Sequence, residues 1–298
     1  SLVPKFRYGH NEMQVHCSIG VSISPEDGME SEHVMHRAIL ARQESKKAFE
    51  TTFNFYHEGM EDADDVYTDL APEIASALRS NQFVLHYQPQ INLKTGQIEG
   101  AETLIRWQHP ERGLLYPDSF IPLCEQVGLI VPIGYWIVHQ ACSDLQKLIS
   151  EGIPLKHLGV NLSFRQFGDD KLVPTIKRIL ERTKVDTSIL EFELTESALH
   201  NDDVHVANCL ESLSETGVSF SLDDFGTGYS SFSLLQKLPI DTIKIDRSFI
   251  TDVNTSADDA EIVRAIINLA HNMGKSVIAE GVETQEQLNF LVDNGCDT

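Results

Sequence analysis

Ser221-Leu222-Asp223-Asp224-Phe225-Gly226-Thr227-Gly228-Tyr229-Ser230-Ser231 is the stretch on which the reading of this 298-residue chain turns. Residues 218–222 alternate as a strand. The strand ends in two adjacent carboxylates, followed by a turn with two glycines and a helical pattern from Ser230. Neighbouring carboxylates repel, so the pair calls for a positive group beside it, and a divalent metal is the usual one. The plainer alternative is an exposed Asp-Asp turn with an aspartate capping the next helix.

On either side of this stretch the chain alternates between strand and helix. Strands are expected over 158–162, 190–194, 218–222, 242–245 and 276–279. Helices follow them, ending near 180 and covering 203–216, 231–236, 258–273 and 285–293. Repeated β-α units of this length imply a parallel sheet, open or closed. Upstream, strands over 83–91 and 98–107 are joined by a hairpin-like 92–97, with helices over 117–126 and 130–149. No Gly-x-Gly-x-x-Gly follows the first strand, which disfavours a dinucleotide-binding sheet.

Side chains alternate along a strand with period two. Val160 and Leu162, Phe192 and Leu194, Phe220 and Leu222, Ile243 and Ile245, and Val277 and Ala279 each share an apolar face. The opposite faces carry Asn161, then Glu191 and Glu193, then Asp223, then Lys244 and Asp246, then Glu280. In the hairpin, Glu102 and Arg106 share a face. In a β/α barrel these strand ends lie on one rim, the rim that carries the active site. Glu102, Asn161, Glu193, Asp223, Asp224 and Glu280 would then form an oxygen-rich cluster. Such a set suits magnesium or manganese and is poor for zinc. With Lys244 among the acids, it reads as a site; the competing reading is a rim of solvated acids. No serine–histidine pair occupies matching strand ends, so acyl transfer is disfavoured.

Composition narrows the partners. The formal net charge of −22 argues against a polymeric nucleic-acid face, which needs a basic footprint. A small anionic substrate is still compatible if cations neutralise it. Five cysteines without Cys-x-x-Cys spacing fit a reducing, cytoplasmic setting. The apolar run over 129–138 contains Pro132 and is too short to span a bilayer, so no membrane segment is expected in this chain. It would equally suit the cytoplasmic part of a longer membrane-bound sensor.

Residues 1–57 read differently. A strand is expected over 15–23, a Pro25–Gly28 turn, a helix over 31–49 and a strand over 53–56. His33 and His36 sit at i, i+3 without a third ligand nearby and read as solvated. An acidic linker is expected over 58–68, with Glu58 to Asp65 aperiodic. A helix over 69–79 follows, its stripe formed by Leu70, Ile74, Ala77 and Leu78.

Ser18-Ile19-Gly20-Val21, the Pro-Glu-Asp-Gly turn and Lys46-Lys47-Ala48 resemble the C-terminal part of a GGDEF (diguanylate cyclase) domain. The signature loop of that family is absent from the chain, so no cyclase activity is implied. The rest resembles the EAL domains, bacterial phosphodiesterases for cyclic di-GMP. The resemblance is carried in order by Glu102-Thr103-Leu104-Ile105-Arg106-Trp107, Asn161-Leu162-Ser163, Glu193-Leu194-Thr195-Glu196-Ser197, Asp223 to Gly228, Ile243-Lys244-Ile245-Asp246 and Ala279-Glu280-Gly281-Val282-Glu283. It implies a TIM-like β/α barrel with an antiparallel first strand over 69–298, and two Mg2+ or Mn2+ ions. Glu102, Asn161, Glu193 and Asp223 would hold one ion, Asp223 and Asp224 the other, and Glu280 a metal or its water. Lys244 would orient or deprotonate the attacking water, and Glu196 would fix the loop after Asp224. Gln88, Arg106 and Asp246 would meet the substrate, Arg106 at a phosphate. The expected product is linear 5′-pGpG, and pairing as a homodimer is common in the family.

The name motif Glu-Ala-Leu is Glu-Thr-Leu here, at a position that alternation turns away from the cluster. Gly295-Cys296-Asp297-Thr298 stands where the family continues into a glutamine and a last strand, so an unpaired sheet edge is expected. Two rivals stay open. One is a catalytically silent cyclic di-GMP receptor acting through protein partners. The other is a metal-dependent barrel enzyme acting on another phosphorylated metabolite.

Overall fold

The computed structural model describes residues 5–8, 11–14, 18–29, 31–46, 52–57, 65–195, 204–226 and 232–298. The chain divides into two units, Ser1–Glu73 and Ile74–Thr298.

In the first unit, β1 (Lys5–Tyr8) and β2 (Asn11–Gln14) form an antiparallel hairpin that the sequence pattern does not announce. β3 (Ser18–Val21), α1 (Ser31–Lys46) and β4 (Thr52–Phe55) form a β-α-β unit with the strands parallel. The helix lies directly on Gly20, where a Cβ would overlap the Ala38 carbonyl and the Arg42 backbone. The elements expected over 15–23 and 31–49 are described over these shorter spans. The side chains of His33 and His36 lie outside the described residues.

The expected linker is cut short. α2 (Asp65–Arg79) already includes its last four residues. Residues 58–64 lie outside the described set.

The second unit is a curled mixed sheet covered by helices. β5 (Phe83–Ile91) and β6 (Ile98–His109) are antiparallel, and the short β7 (Gly113–Leu115) returns along the end of β6. A 3-10 turn over Pro117–Ser119, α3 (Ile121–Gln126) and α4 (Ile130–Ser150) follow, so the helix expected over 117–126 is broken at Phe120. The parallel units are β8 (His157–Asn161) with α5 (Leu172–Thr183), and β9 (Leu190–Thr195) with α6 (Val204–Ser214). Next come β10 (Ser219–Phe225) with α7 (Phe232–Lys237), and β11 (Thr242–Ile245) with α8 (Arg247–Thr251) and α9 (Ala257–Asn272). β12 (Ser276–Ala279) and α10 (Gln285–Asp293) complete the unit. The strand order is β12-β11-β10-β9-β8-β6-β5, the TIM-like arrangement with an antiparallel first strand.

The apolar face of each parallel strand is buried under the helices: Val160, Phe192, Leu194, Phe220, Leu222, Ile243, Ile245 and Val277 are all inaccessible to solvent. Register pairs Phe192 with Phe220 and Leu194 with Leu222, so like side chains meet across neighbouring strands. The helices supply matching stripes, as in α5 with Leu172, Ile176 and Leu180. Cys124, Cys142, Cys209 and Cys296 are buried. Among the described residues, no helix is long and apolar enough to cross a membrane.

The final residues lie between the two ends of the sheet. Thr298 N donates to Val277 O and its carbonyl accepts from Ala279 N, a ladder alongside β12. On the other side, Leu93 N donates to Asp297 O. The edge expected to be unpaired thus carries the start of a further pairing.

Phe220 touches Phe192 at a ring-centroid distance of 6.0 Å and has no accessible surface. Phe220→Ala should therefore destabilise the barrel by about 3–5 kcal/mol, through lost transfer energy and the cavity left behind. Urea denaturation followed by tryptophan fluorescence and far-UV dichroism checks this; a change under 1 kcal/mol would contradict the packing described.

Candidate functional site

Alternation alone would turn Asp223 inward and Asp224 outward. The structure breaks that alternation. The pairing of β10 with β11 runs Leu222 with Ile243 but Phe225 with Ile245, a bulge that contains both aspartates. Asp224 takes a left-handed backbone, φ 55°, and Gly226 follows with φ 100°. A bulge bends its strand and re-aims a side chain. Here it places Asp224 within reach of the charges of Asp223, Asp246 and Lys244. Burial, then the charges of Asp223 and Asp246, raise the Asp224 carboxyl above its ordinary range.

Lys244 stands at the focus of the rim. It is fully buried, and its Nζ lies 2.7 Å from Glu193 Oε2, 2.7 Å from Glu280 Oε1, 3.2 Å from Asp223 Oδ1 and 3.3 Å from Glu102 Oε2. These acids come from β9, the end of β12, β10 and β6. Asn161 Nδ2 donates to Glu102 Oε1 at 3.0 Å. Burial alone would lower the ammonium. Glu193, Asp223, Glu102 and Glu280 overcome that and hold it well above the usual lysine range. Burial pushes the Glu193 and Glu280 carboxyls up, and the pull of Lys244 is not enough to restore them. Four carboxyl groups face one ammonium in a partly buried space, so the acids formally outnumber the cation by three.

That surplus bears on cation binding. The donors are carboxylate and amide oxygens, the chemistry of magnesium and manganese sites. Glu193 Oε1 is buried with no hydrogen-bond partner among the described residues, and an oxygen of that kind suits a hard cation. Among the described residues, no three acidic or imidazole groups stand ready as a ligand set; the acids surround the ammonium instead. The residues fit divalent cations by donor type and charge, and would have to turn from Lys244 to bind them.

The loops around the rim are held by groups that sequence reading passes over. Gln287, buried on α10, accepts through Oε1 from Glu283 N and Thr284 N. Its Nε2 donates to the carbonyls of Ile250 and Thr251. One amide therefore ties the loop after Glu280 to α8. Gly281, φ 72°, lies under the Arg247 side chain, where a Cβ would press on Arg247 Cβ at 2.5 Å. Across the rim, Gln166 Oε1 accepts from Ser163 N, and Ser163 Oγ donates to Glu125 Oε1 at 2.6 Å. The signal in the sequence was the capping spacing Ser163…Gln166 and Thr284…Gln287.

The remaining expected residues fall in three places. Gln88 lies opposite Glu102 in the β5–β6 register. It lines, with Glu102, Arg247 and Glu280, a cavity of about 680 Å³, a volume in the range of small-molecule sites. Asp246 caps α8, its Oδ1 accepting from Ser248 N at 2.9 Å, and faces Asp224. Arg106 lies four residues beyond Glu102 on the same face of β6, beside the Tyr116 ring. Glu196 lies outside the described residues, as does the loop it was expected to hold.

Residues 71–298 match the EAL domain family. The chain is 40% identical over 281 residues to a cyclic di-GMP phosphodiesterase, NbdA, of Pseudomonas aeruginosa, covering 94% of this chain and 36% of that protein. It is 37% identical over 290 residues to a cyclic di-GMP phosphodiesterase, PdeR, of Escherichia coli, covering 97% of this chain and 44% of that protein. The chain thus spans less than half the length of these relatives. Among solved structures it is similar to the MucR phosphodiesterase in complex with c-di-GMP. The TM-score is 0.73 at 42% identity, covering 77% of this chain and 93% of that one.

Removing Lys244 should expose what the ammonium balances. In chelator-treated protein, Lys244→Met should cost about 3–5 kcal/mol at neutral pH, the scale of leaving buried charge unpaired. Glu193 and Glu280 are already raised, and would rise further in the variant. A carboxyl raised above its unfolded value supports the fold at low pH and ceases to as pH climbs through the raised value. The deficit should therefore shrink as the pH is lowered. Denaturation curves across pH check this; a deficit that grows on acidification would refute it.

Proposed function

The chain belongs to the EAL domain family, and from that premise we propose that it hydrolyses one phosphodiester bond of cyclic di-GMP, giving linear 5′-pGpG. The observation that carries the proposal is the convergence of Glu102, Glu193, Asp223 and Glu280 on Lys244 Nζ, with Asp224 turned to the same rim by the bulge. Two features add support: relatives named for this activity cover nearly all of this chain, and no acid expected from the family pattern is missing from the sequence.

Phosphodiesterases of this family depend on divalent metal. We assign two Mg2+ or Mn2+ ions here, held by Glu102, Asn161, Glu193 and Asp223 on one side and by Asp223 and Asp224 on the other. Glu280 completes the set. When bound, the ions supply charge neutralisation at the phosphate and a nucleophilic water at neutral pH. Of the two roles expected for Lys244, orienting that water as a donor suits a group held as an ammonium; to take its proton, Lys244 would first have to give one up to a neighbouring carboxylate such as Glu193. A fully buried ammonium already hydrogen-bonded to Glu193 can pass a proton only along that network. The water oxygen bonds to phosphorus, the bond to the 3′-oxygen breaks, and the 3′-oxygen leaves as a hydroxyl. Gln88, Arg106 and Asp246 meet the substrate, Arg106 at a phosphate. Glu196 keeps its assigned role of bracing the loop after Asp224.

The acidic chain accepts a dianion because the local cations outweigh the general repulsion. We place the chain in the cytoplasm, where its buried thiols stay reduced, and expect two copies to pair through the EAL unit. Residues 1–57 are read as the end of a GGDEF-like domain on the motif Ser18–Val21 and the β-α-β unit it opens.

Glu102→Ala should lower hydrolysis by at least about a hundredfold, the scale of removing a charge-stabilising group. The assay is chromatography of products after incubation with cyclic di-GMP and magnesium or manganese. Wild-type turnover in the variant, or faster cleavage of a generic phosphate ester than of cyclic di-GMP by the parent, would reject the proposal.

A further inference from the structure

We infer that Tyr116 is the positioning residue for Arg106, holding its guanidinium in place for an anionic group of the substrate by a cross-strand cation–π contact. The inference rests on the reading of Arg106 as a phosphate contact and goes one residue beyond it.

The register supplies the first part of the case. β6 and β7 pair Trp107 with Leu115 and Gln108 with Leu114. One step further along the same ladder, Tyr116 falls opposite Arg106. Residues so opposed put their side chains on one face of the sheet. On the other flank Arg106 is paired with Val84 of β5. Arg106 thus stands on the inward face of its strand, shared with Glu102, between an apolar neighbour and a ring. Its Cζ lies 4.8 Å from the Tyr116 centroid.

The second part is what Arg106 does with its donors. Nη1 donates to Ile105 O at 2.9 Å. Nε is buried with no hydrogen-bond partner among the described residues. No acidic side chain is within ion-pair distance of Arg106 among the described residues, although the chain is strongly acidic. A long side chain of this kind carries much rotamer entropy, and here the ring takes the place of a carboxylate as the group that limits its freedom. A carboxylate there would compete with a phosphate; a ring restrains the cation and leaves its charge available.

The third part is that the ring itself is held. Pro117 follows Tyr116 and confines its backbone to extended conformations; the observed φ and ψ are −92° and 157°. Ser119 clamps the Tyr116 carbonyl twice, through its N–H at 3.0 Å and its hydroxyl at 2.6 Å. Yet the side chain is 58% exposed. A large aromatic group in a stiff backbone, left half in solvent, is poorly explained by core packing. A platform for a cation accounts for its position and its exposure together.

The test uses the full chain and cyclic di-GMP. Binding is read by calorimetry with calcium in place of magnesium, and KM and kcat are read in manganese. Tyr116→Leu should weaken Kd and raise KM by about three- to fivefold, as expected for an exposed cation–π contact, with kcat within about twofold. Tyr116→Phe should restore both. Arg106→Ala should weaken binding by at least about tenfold, the loss of hydrogen bonds to a charged group. The double variant should be no weaker than Arg106→Ala alone, because the ring acts only through the guanidinium. The inference is overturned if Tyr116→Leu binds like the parent, if Tyr116→Phe fails to rescue, or if Tyr116→Leu still weakens binding in the Arg106→Ala background. That last outcome would mean that the ring touches the nucleotide itself. Parent-like binding by Arg106→Ala would instead reject the phosphate role of Arg106, a failure read from a different variant. A parent chain that neither binds nor cleaves cyclic di-GMP would reject the proposed function.

Discussion

A buried ammonium that gathers four carboxylates is the constraint on which the second unit depends. An ion taken out of water is stable only when its attraction to partners exceeds the cost of desolvation. Lys244 meets that condition by drawing acids from four strands to one point, and it fixes how the strands that carry them are turned. The interior is polar at this level and continues so one layer below. There Glu191 accepts from Thr242 Oγ1 at 2.7 Å, and burial raises its carboxyl above the ordinary range. The apolar core is therefore the outer layer, between sheet and helices, while the middle of the sheet is reserved for charge. A barrel organised this way has little stability to gain from its centre, and the outward faces of Phe192, Phe220, Ile243 and Val277 carry the packing.

Two kinds of device aim the groups around that centre. One is backbone strain: Asp224 adopts a left-handed conformation that costs most residues energy, inside a bulge that lets two consecutive aspartates serve one space. The other is the buried amide. Gln287 and Gln166 each satisfy backbone donors at the mouth of the sheet, so that the loops next to Glu280 and Asn161 are held by side chains rather than by the ladder. Both are inexpensive in sequence, since each needs only one residue at a capping position. Both keep loop backbone polar groups paired where strands have ended.

The charge balance joins structure to the proposed chemistry. The chain as a whole repels anions, and the rim concentrates that repulsion in a space with one internal cation. Divalent cations, if bound there as proposed, would change the sign of the site locally, and Arg106 stands farther along the same face of β6.

Much of this was legible in the residues. Period-two alternation identified which side chains share a face, and with it Glu102, Asn161, Glu193, Asp223, Lys244 and Glu280 as one set. It could do so because alternation is a local property of extended backbone. The repeated strand–helix order pointed to the parallel sheet, and the hairpin-like connection over 92–97 to the antiparallel pair of β5 and β6. Only the tertiary structure decided the rest. Asp224 breaks the alternation through a bulge, which depends on the register between two strands and leaves no periodic trace. The early start of α2 depends on a helix end, where local signals are weakest. Tyr116 meets Arg106 because β7 folds back on β6, a pairing between residues ten apart that neither residue's neighbours announce. Lys244 at the focus of four acids is likewise a fact of convergence: the sequence names the charges, and only the curl of the sheet sets the distances at which they act.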